Sequence, residues 1–175
     1  MTETTTTVLR EAAPKDLLYI DSLRKKNGAA LGFIPKAAYE SVVYRQRIGG
    51  RDRWKYARLL VTVDGDDLTG FCYASCAKEV VTIFQVVVQE DARRWHRALL
   101  MADEIERWSR ALPRPGITCR VTYDLEANLF WRAIGYHPIK QVISTWLNQR
   151  ESKSKRPLWE YYKDLHNGLF DAGLS

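Results

Sequence analysis

The stretch Val80–Leu112, VVTIFQVVVQEDARRWHRALLMADEIERWSRAL, decides the fold. Its first nine residues are apolar at both alternating sets of positions, with Val80, Phe84, Val86 and Val88 on one side and Val81, Ile83 and Val87 on the other. A near-continuous β-branched run of this kind belongs to a strand covered on both faces in the middle of a sheet. On that reading Val86→Asp is expected to unfold the protein, because an unpaired charge in a core is costly. From Arg94 the period changes. Trp95, Ala98, Leu99, Ala102, Ile105 and Leu112 recur at three- and four-residue spacing, the apolar side of a helix that Pro113 stops. The turn Gln89–Arg93 delivers the chain into the first turn of that helix, where backbone N–H groups lack intrahelical partners and the dipole favours an anion. Arg93, Arg94 and Arg97 cluster at the same point. Strand, tight turn and cationic helix start point to a phosphate-bearing ligand. The same pattern also occurs in α/β proteins that bind nothing there.

Outward from this stretch the pattern continues. Thr5–Arg10 reads as a strand. Pro14–Asp16 opens a helix with Leu17, Leu18, Ile20 and Leu23 on its apolar side, ending at Asn27-Gly28. A second helix covers Lys36–Arg47 and closes at Gly49-Gly50. Arg58–Val63, Asp64-Gly65-Asp66-Asp67 and Leu68–Lys78 read as strand, turn, strand. Beyond the central helix, Ile117–Thr122 is a strand and Leu125–Ile134 a short helix ending at Gly135, with Asp124 suited to cap it. Tyr136–Asn148 is extended, Gln149–Arg156 a turn and Pro157–Leu165 a final strand. His166–Ser175 reads as a tail. The predicted order is β-α-α-β-β-β-α-β-α-β-β, an α/β fold with a mixed central sheet flanked by helices. Residues 1–175 are expected to form a single domain with its core at about 5–165.

Composition sets limits. A chain of 175 residues with 46% apolar content can bury a core. No apolar run approaches the ~20 residues of a membrane span, and Met1–Thr7 has no apolar signal core. Cys72, Cys76 and Cys119 form no C-x-x-C pair, so no zinc site is expected. These features favour a reducing, cytoplasmic setting with no membrane partner. The net charge of +6 is clustered at Arg24–Lys26, Arg45–Arg58, Arg93–Arg97 and Lys153–Arg156. Such clusters attract nucleic acid or a polyphosphate, and are equally compatible with a solvated basic surface.

Two segments carry a family resemblance. Ile83–Leu100 resembles the fourth strand, pyrophosphate loop and third helix of the GNAT-type N-acetyltransferases. Glu126–Tyr136, EANLFWRAIGY, is similar to that family's Asn, aromatic-pair, Gly-aromatic string. Ala30–Pro35 resembles the entry segment of GNAT proteins carried by phages and mobile elements. The resemblance implies acetyl-CoA as co-substrate and an amine as acceptor. It places the cofactor on backbone groups of Val86, Val87 and Val88, on Arg93, Arg94, Trp95, His96, Arg97 and Ala98, and on Asn128 and Trp131. The family's loop motif, Q/R-x-x-G-x-G/A, is met from Arg93 except that His96 replaces the first glycine; a register starting at Asp91 instead puts Arg94 and His96 at the two glycine positions. There the imidazole either fills the pyrophosphate space or donates a hydrogen bond to phosphate.

The catalytic expectations follow from the same resemblance. The strand N–H groups would stabilise charge developing on the thioester oxygen. Gln85 is the polar residue of the strand and could hold a water. The family's general-acid tyrosine is replaced by Trp131, whose indole can donate a hydrogen bond but not a proton near neutral pH. Tyr123 and Tyr136 are the substitutes in sequence. The rival reading is a GNAT-fold protein that binds or modifies nucleic acid with acetyl transfer altered or lost. There the arginines would be joined by Trp54, Tyr56, Trp95 and Trp159. The acceptor is not legible, and the oligomeric state is left open, with a dimer compatible.

Overall fold

The computed structural model describes residues 6–28, 31, 34–77, 80–92, 95–112, 116–143 and 157–165. In chain order they form β1 (Thr7–Glu11), α1 (Leu17–Lys26), α2 (Lys36–Tyr44), β2 (Ala57–Asp64), β3 (Asp67–Ala77), β4 (Val80–Val88), α3 (Trp95–Arg110), β5 (Gly116–Thr122), α4 (Ala127–Ala133), β6 (His137–Ile143) and β7 (Pro157–Asp164). This is the order read from the sequence. The strands make a seven-stranded sheet in the order β1-β2-β3-β4-β5-β7-β6. It is mixed, since β4 and β5 pair in parallel while β1–β2, β2–β3, β5–β7 and β6–β7 pair antiparallel. The expected turn at Gln149–Arg156 and the tail His166–Ser175 lie outside the described residues, as do Ala30, Gly32 and Phe33.

The chain forms two compact units, Met1–Ser75 with Phe84–Ile105, and Cys76–Ile83 with Glu106–Ser175. In the first, α1 and α2 cover β2, β3 and the end of β4. Leu17, Ile20 and Leu23 join Leu59, Val61, Val63, Phe71 and Val87 in one core. Full burial of a side chain such as Ile20 stabilises by roughly 1.5–3 kcal/mol. Tyr39 of α2 lies edge-on to Phe71 and Tyr73, with ring centroids 6.2 and 5.3 Å away. The β2–β3 hairpin closes with Asp64 opposite Asp67. Of its two loop residues Gly65 takes the positive φ, +61°, which a glycine adopts without steric cost. The entry to α1 is fixed by buried Asp16, which accepts from Arg10 Nη1 and Nη2 at 2.6 and 3.0 Å and from Ala13 N–H at 2.7 Å. Burial pushes this carboxyl up, but those bonds outweigh it and hold it below the usual carboxylate range.

In the second unit the parallel ladder sets Val81, Thr82 and Ile83 opposite Ile117, Thr118 and Cys119. β7 pairs with β5 on one side and β6 on the other, and β6 forms the sheet edge. α4 stops at Gly135, whose φ of +88° suits the left-handed residue after a helix.

Three expectations are corrected. β4 is not covered equally on both faces. Val81, Ile83, Gln85 and Val87 are buried, whereas Val86 is half-buried and Phe84 is 42% exposed against Tyr73. Apolar composition placed the strand within the sheet but did not fix how much of each face is covered. The buried stripe of α3 is Met101, Ala102, Ile105, Glu106 and Ser109, and Leu99 is 37% exposed. Two polar positions enter that stripe because they have partners there: Ser109 Oγ lies 3.3 Å from Gly116 O, and Glu106 accepts from Lys163 Nζ at 2.7 Å. Finally, α4 begins after Glu126 with no side-chain cap, and Asp124 is exposed outside it.

The revised burial changes the mutational expectation. Val81→Asp places a carboxylate at a fully buried ladder position and should abolish cooperative unfolding or solubility. Val86→Asp should leave a folded protein with a lowered Tm. Thermal denaturation followed by circular dichroism checks both, and equal damage from the two variants would contradict the assignment of faces.

Candidate functional site

The start of α3 is tied down by its own arginine. Arg97 donates through Nη2 to Asp64 Oδ2 and through Nη1 to Ala92 O at 2.7 Å. Thr7 Oγ1 adds a bond of 2.7 Å to Asp64 Oδ1. The Arg97 hydrogen bond is the main reason the Asp64 carboxyl lies below the usual aspartate range, with burial opposing it. The guanidinium expected to meet a phosphate here bonds the β2–β3 hairpin and Ala92 O. Arg93 and Arg94 lie outside the described residues, and so does the side chain of Trp95. His96 is exposed in the first turn of α3 and Ala98 is half-buried.

On β4, Gln85 is buried, and its Oε1 accepts from the Tyr39 hydroxyl. Burial pushes the Tyr39 hydroxyl well above the usual tyrosine range, so it remains a donor. Gln85 thus joins α2 to β4. Further along, Val87 is buried and Val86 and Val88 are half-buried. The backbones of β3 and β4 approach closely here. A Cβ on Gly70 would lie 2.7 Å from Val87 O, and Gln89 N–H bonds Thr69 O at 2.8 Å.

The other candidates belong to the second unit. Tyr123, just past β5, is 55% exposed and stacks on Trp159 at 6.1 Å. Trp131 is buried, in T-shaped contact with Tyr136 at 4.8 Å and Phe130 at 5.1 Å. The residue at the family's tyrosine position is a packing element here, and Tyr136 is a buried aromatic just before β6. Asn128 is a staple. Its Nδ2 lies 2.9, 3.1 and 2.7 Å from the carbonyls of Thr122, Tyr123 and Leu125, while Oδ1 accepts from Tyr161 Oη at 2.9 Å. This side chain shapes the β5–α4 turn.

Sequence reasoning missed the partners. Asp64 reads as a turn residue, and the sequence singles out neither Tyr39 nor Lys163, which reaches both Glu106 and Ile134 O at 2.7 and 2.8 Å. No local signal separates them from ordinary residues of their types, because each bond links residues far apart in sequence.

Neither a protein-family model nor a curated protein sequence matches the chain. Its likeness to solved structures is broad. Arabidopsis thaliana NAA60 in complex with acetyl-CoA superposes with a TM-score of 0.73 at 15% identity, covering 91% of this chain and 99% of the other. The same enzyme with a bisubstrate analogue gives 0.72 at 16% identity, covering 91% and 98%. The ribosomal-protein-S18-alanine N-acetyltransferase of Escherichia coli gives 0.69 at 9% identity, covering 97% and 100%. The chain has the fold of the GNAT-type N-acetyltransferases.

Two substitutions check this local architecture. Asp64→Asn should lower stability at neutral pH by about 1–3 kcal/mol, the worth of a charge-assisted bond with limited exposure. Because the folded carboxyl is depressed, its contribution is present above the unfolded aspartate range near 4. It is lost as pH falls through the folded value, so the gap between wild type and variant should close in acid. Asn128→Asp keeps the shape but replaces the donor with a carboxylate, an acceptor only, facing three carbonyl oxygens. It should cost about 2 kcal/mol or more in denaturant unfolding, and an unchanged midpoint would contradict the staple.

Proposed function

We propose that the chain is an acyltransferase that moves an acetyl group from acetyl-CoA to an amine. The observation that carries the reading is the shared fold, over nine-tenths of the chain, with an acetyltransferase solved in complex with acetyl-CoA. The loop and helix order of Ile83–Leu100 and the Asn128–Tyr136 string support it. In this proposal 1–175 acts as a single acyltransferase domain. The setting is cytoplasmic, consistent with Cys72 and Cys119 as buried thiols. The likeness of Ala30–Pro35 to phage-borne members is a proposal about origin.

Acetyl-CoA supplies the acyl group as a thioester. Backbone N–H groups at the start of α3, about 94–98, hold the pyrophosphate, with His96 donating one hydrogen bond and Arg93 and Arg94 adding charge. Arg97 acts indirectly by fixing the helix start. An N–H of Val86–Val88 stabilises negative charge developing on the thioester oxygen. Asn128 positions the β5–α4 turn, and Tyr123, exposed just past β5, carries the hydroxyl suited to the general-acid role. Trp131 and Gln85 take no proton in this scheme, since the first packs the core and the second bonds Tyr39. The acceptor amine attacks as the free base and loses its surplus proton to solvent.

Calorimetric titration with acetyl-CoA tests the reading. Saturable binding is expected, together with release of CoA thiol when a reactive amine is added. Absence of binding at millimolar acetyl-CoA would remove the acetyltransferase reading. His96→Gly should weaken acetyl-CoA several-fold if the imidazole contacts phosphate, and a tighter-binding variant would show that it obstructs the site.

A further inference from the structure

One short segment is the chain's largest basic cluster. Residues 45–58 carry six cations and one carboxylate, a net +5 in fourteen residues. Arg45, Arg47, Arg51, Arg53 and Lys55 are all exposed. The segment has a defined shape. Ile48 and Arg51 exchange backbone bonds of 3.1 Å around Gly49 and Gly50, whose φ values are +56° and +75°. Residues Arg53–Tyr56 then make a 3-10 turn. The lone carboxylate, Asp52, accepts from Arg47 Nε at 2.8 Å and lies 2.9 Å from Lys55 Nζ. It spaces two cations without neutralising the rest. Aromatic rings are interleaved. Trp54 has Arg45 and Lys55 over its ring at 5.8 and 5.6 Å, while Tyr56 is 60% and Tyr44 47% exposed.

The geometry points to a binding surface for single-stranded nucleic acid on this segment. Five of the six cations are arginines, whose planar forks match phosphate oxygens better than an ammonium does. Tyr44 and Tyr56 offer open rings for unpaired bases, the combination of cationic track and stacking platform that single strands use. Bases stacked in a duplex would have no use for those rings. The inference does not depend on acetyl transfer.

The test is fluorescence anisotropy of a short, labelled single-stranded oligonucleotide titrated with the full chain at several salt concentrations. Binding is expected at low salt, with log K falling against log salt at a slope of about −3, as for four or five neutralised phosphates on a single strand. The double variant Arg51→Ala/Arg53→Ala should weaken binding about tenfold or more and flatten the slope by about 1.4. Tyr56→Ala should weaken binding about fivefold to tenfold with the slope unchanged. These side chains are exposed, so Tm should hold, and acetyl-CoA affinity should not change. No binding at low salt would overturn the inference. So would equal affinity for heparin, duplex or anionic vesicles combined with no effect of Tyr56→Ala, which would reduce the surface to general polyanion attraction.

Discussion

The ion pair between Asp64 and Arg97 is the constraint on which the first turn of α3 depends. It joins the end of β2 to a helix that begins only two residues earlier, and the same guanidinium also holds Ala92 O. Both side chains are 15% exposed, so solvent screens the pair only partly. Removing one partner would leave the other charge poorly compensated. The pair also decides what the helix start can offer a ligand. With Arg97 committed, the free backbone amides of the first turn, and not its guanidinium, are the part of α3 suited to an anion.

The second unit uses polar anchors in the same way. Lys163 on β7 meets Glu106 of α3 and the carbonyl of Ile134 at the end of α4. Asn128 draws three carbonyls of the β5–α4 turn around one amide and is itself held by Tyr161. Each anchor sits where a helix meets a strand, so few residues determine where both helix ends lie. Buried, satisfied polar groups of this kind specify an arrangement more sharply than apolar contact alone, because an unpaired alternative is costly.

Order and punctuation of the elements were legible because they are local. Asp64-Gly65 marked the hairpin, Asn27 and Gly135 marked helix ends, and the β-branched run of Val80–Val88 marked a strand within the sheet. Faces were less legible. Periodicity showed that α3 has a buried side, yet that side contains Glu106 and Ser109 and leaves Leu99 outside, because distant partners receive the polar groups. Arg97 was read as a ligand contact since its partner lies 33 residues away. Gln85 was read as a water holder, and its partner Tyr39 lies 46 residues away. Asn128 reads as touching the cofactor, whereas its bonds are to its own turn and to Tyr161. Pairings of this range are set by register and packing, which no window of sequence contains.

Amide hydrogen exchange followed residue by residue, with and without CoA, tests the central claim most directly. The account predicts that CoA slows exchange of the backbone amides at 95–98, the first turn of α3, and that Asp64→Asn weakens this protection by loosening the turn. Unchanged exchange at 95–98 with saturating CoA would contradict an anion site at the start of α3.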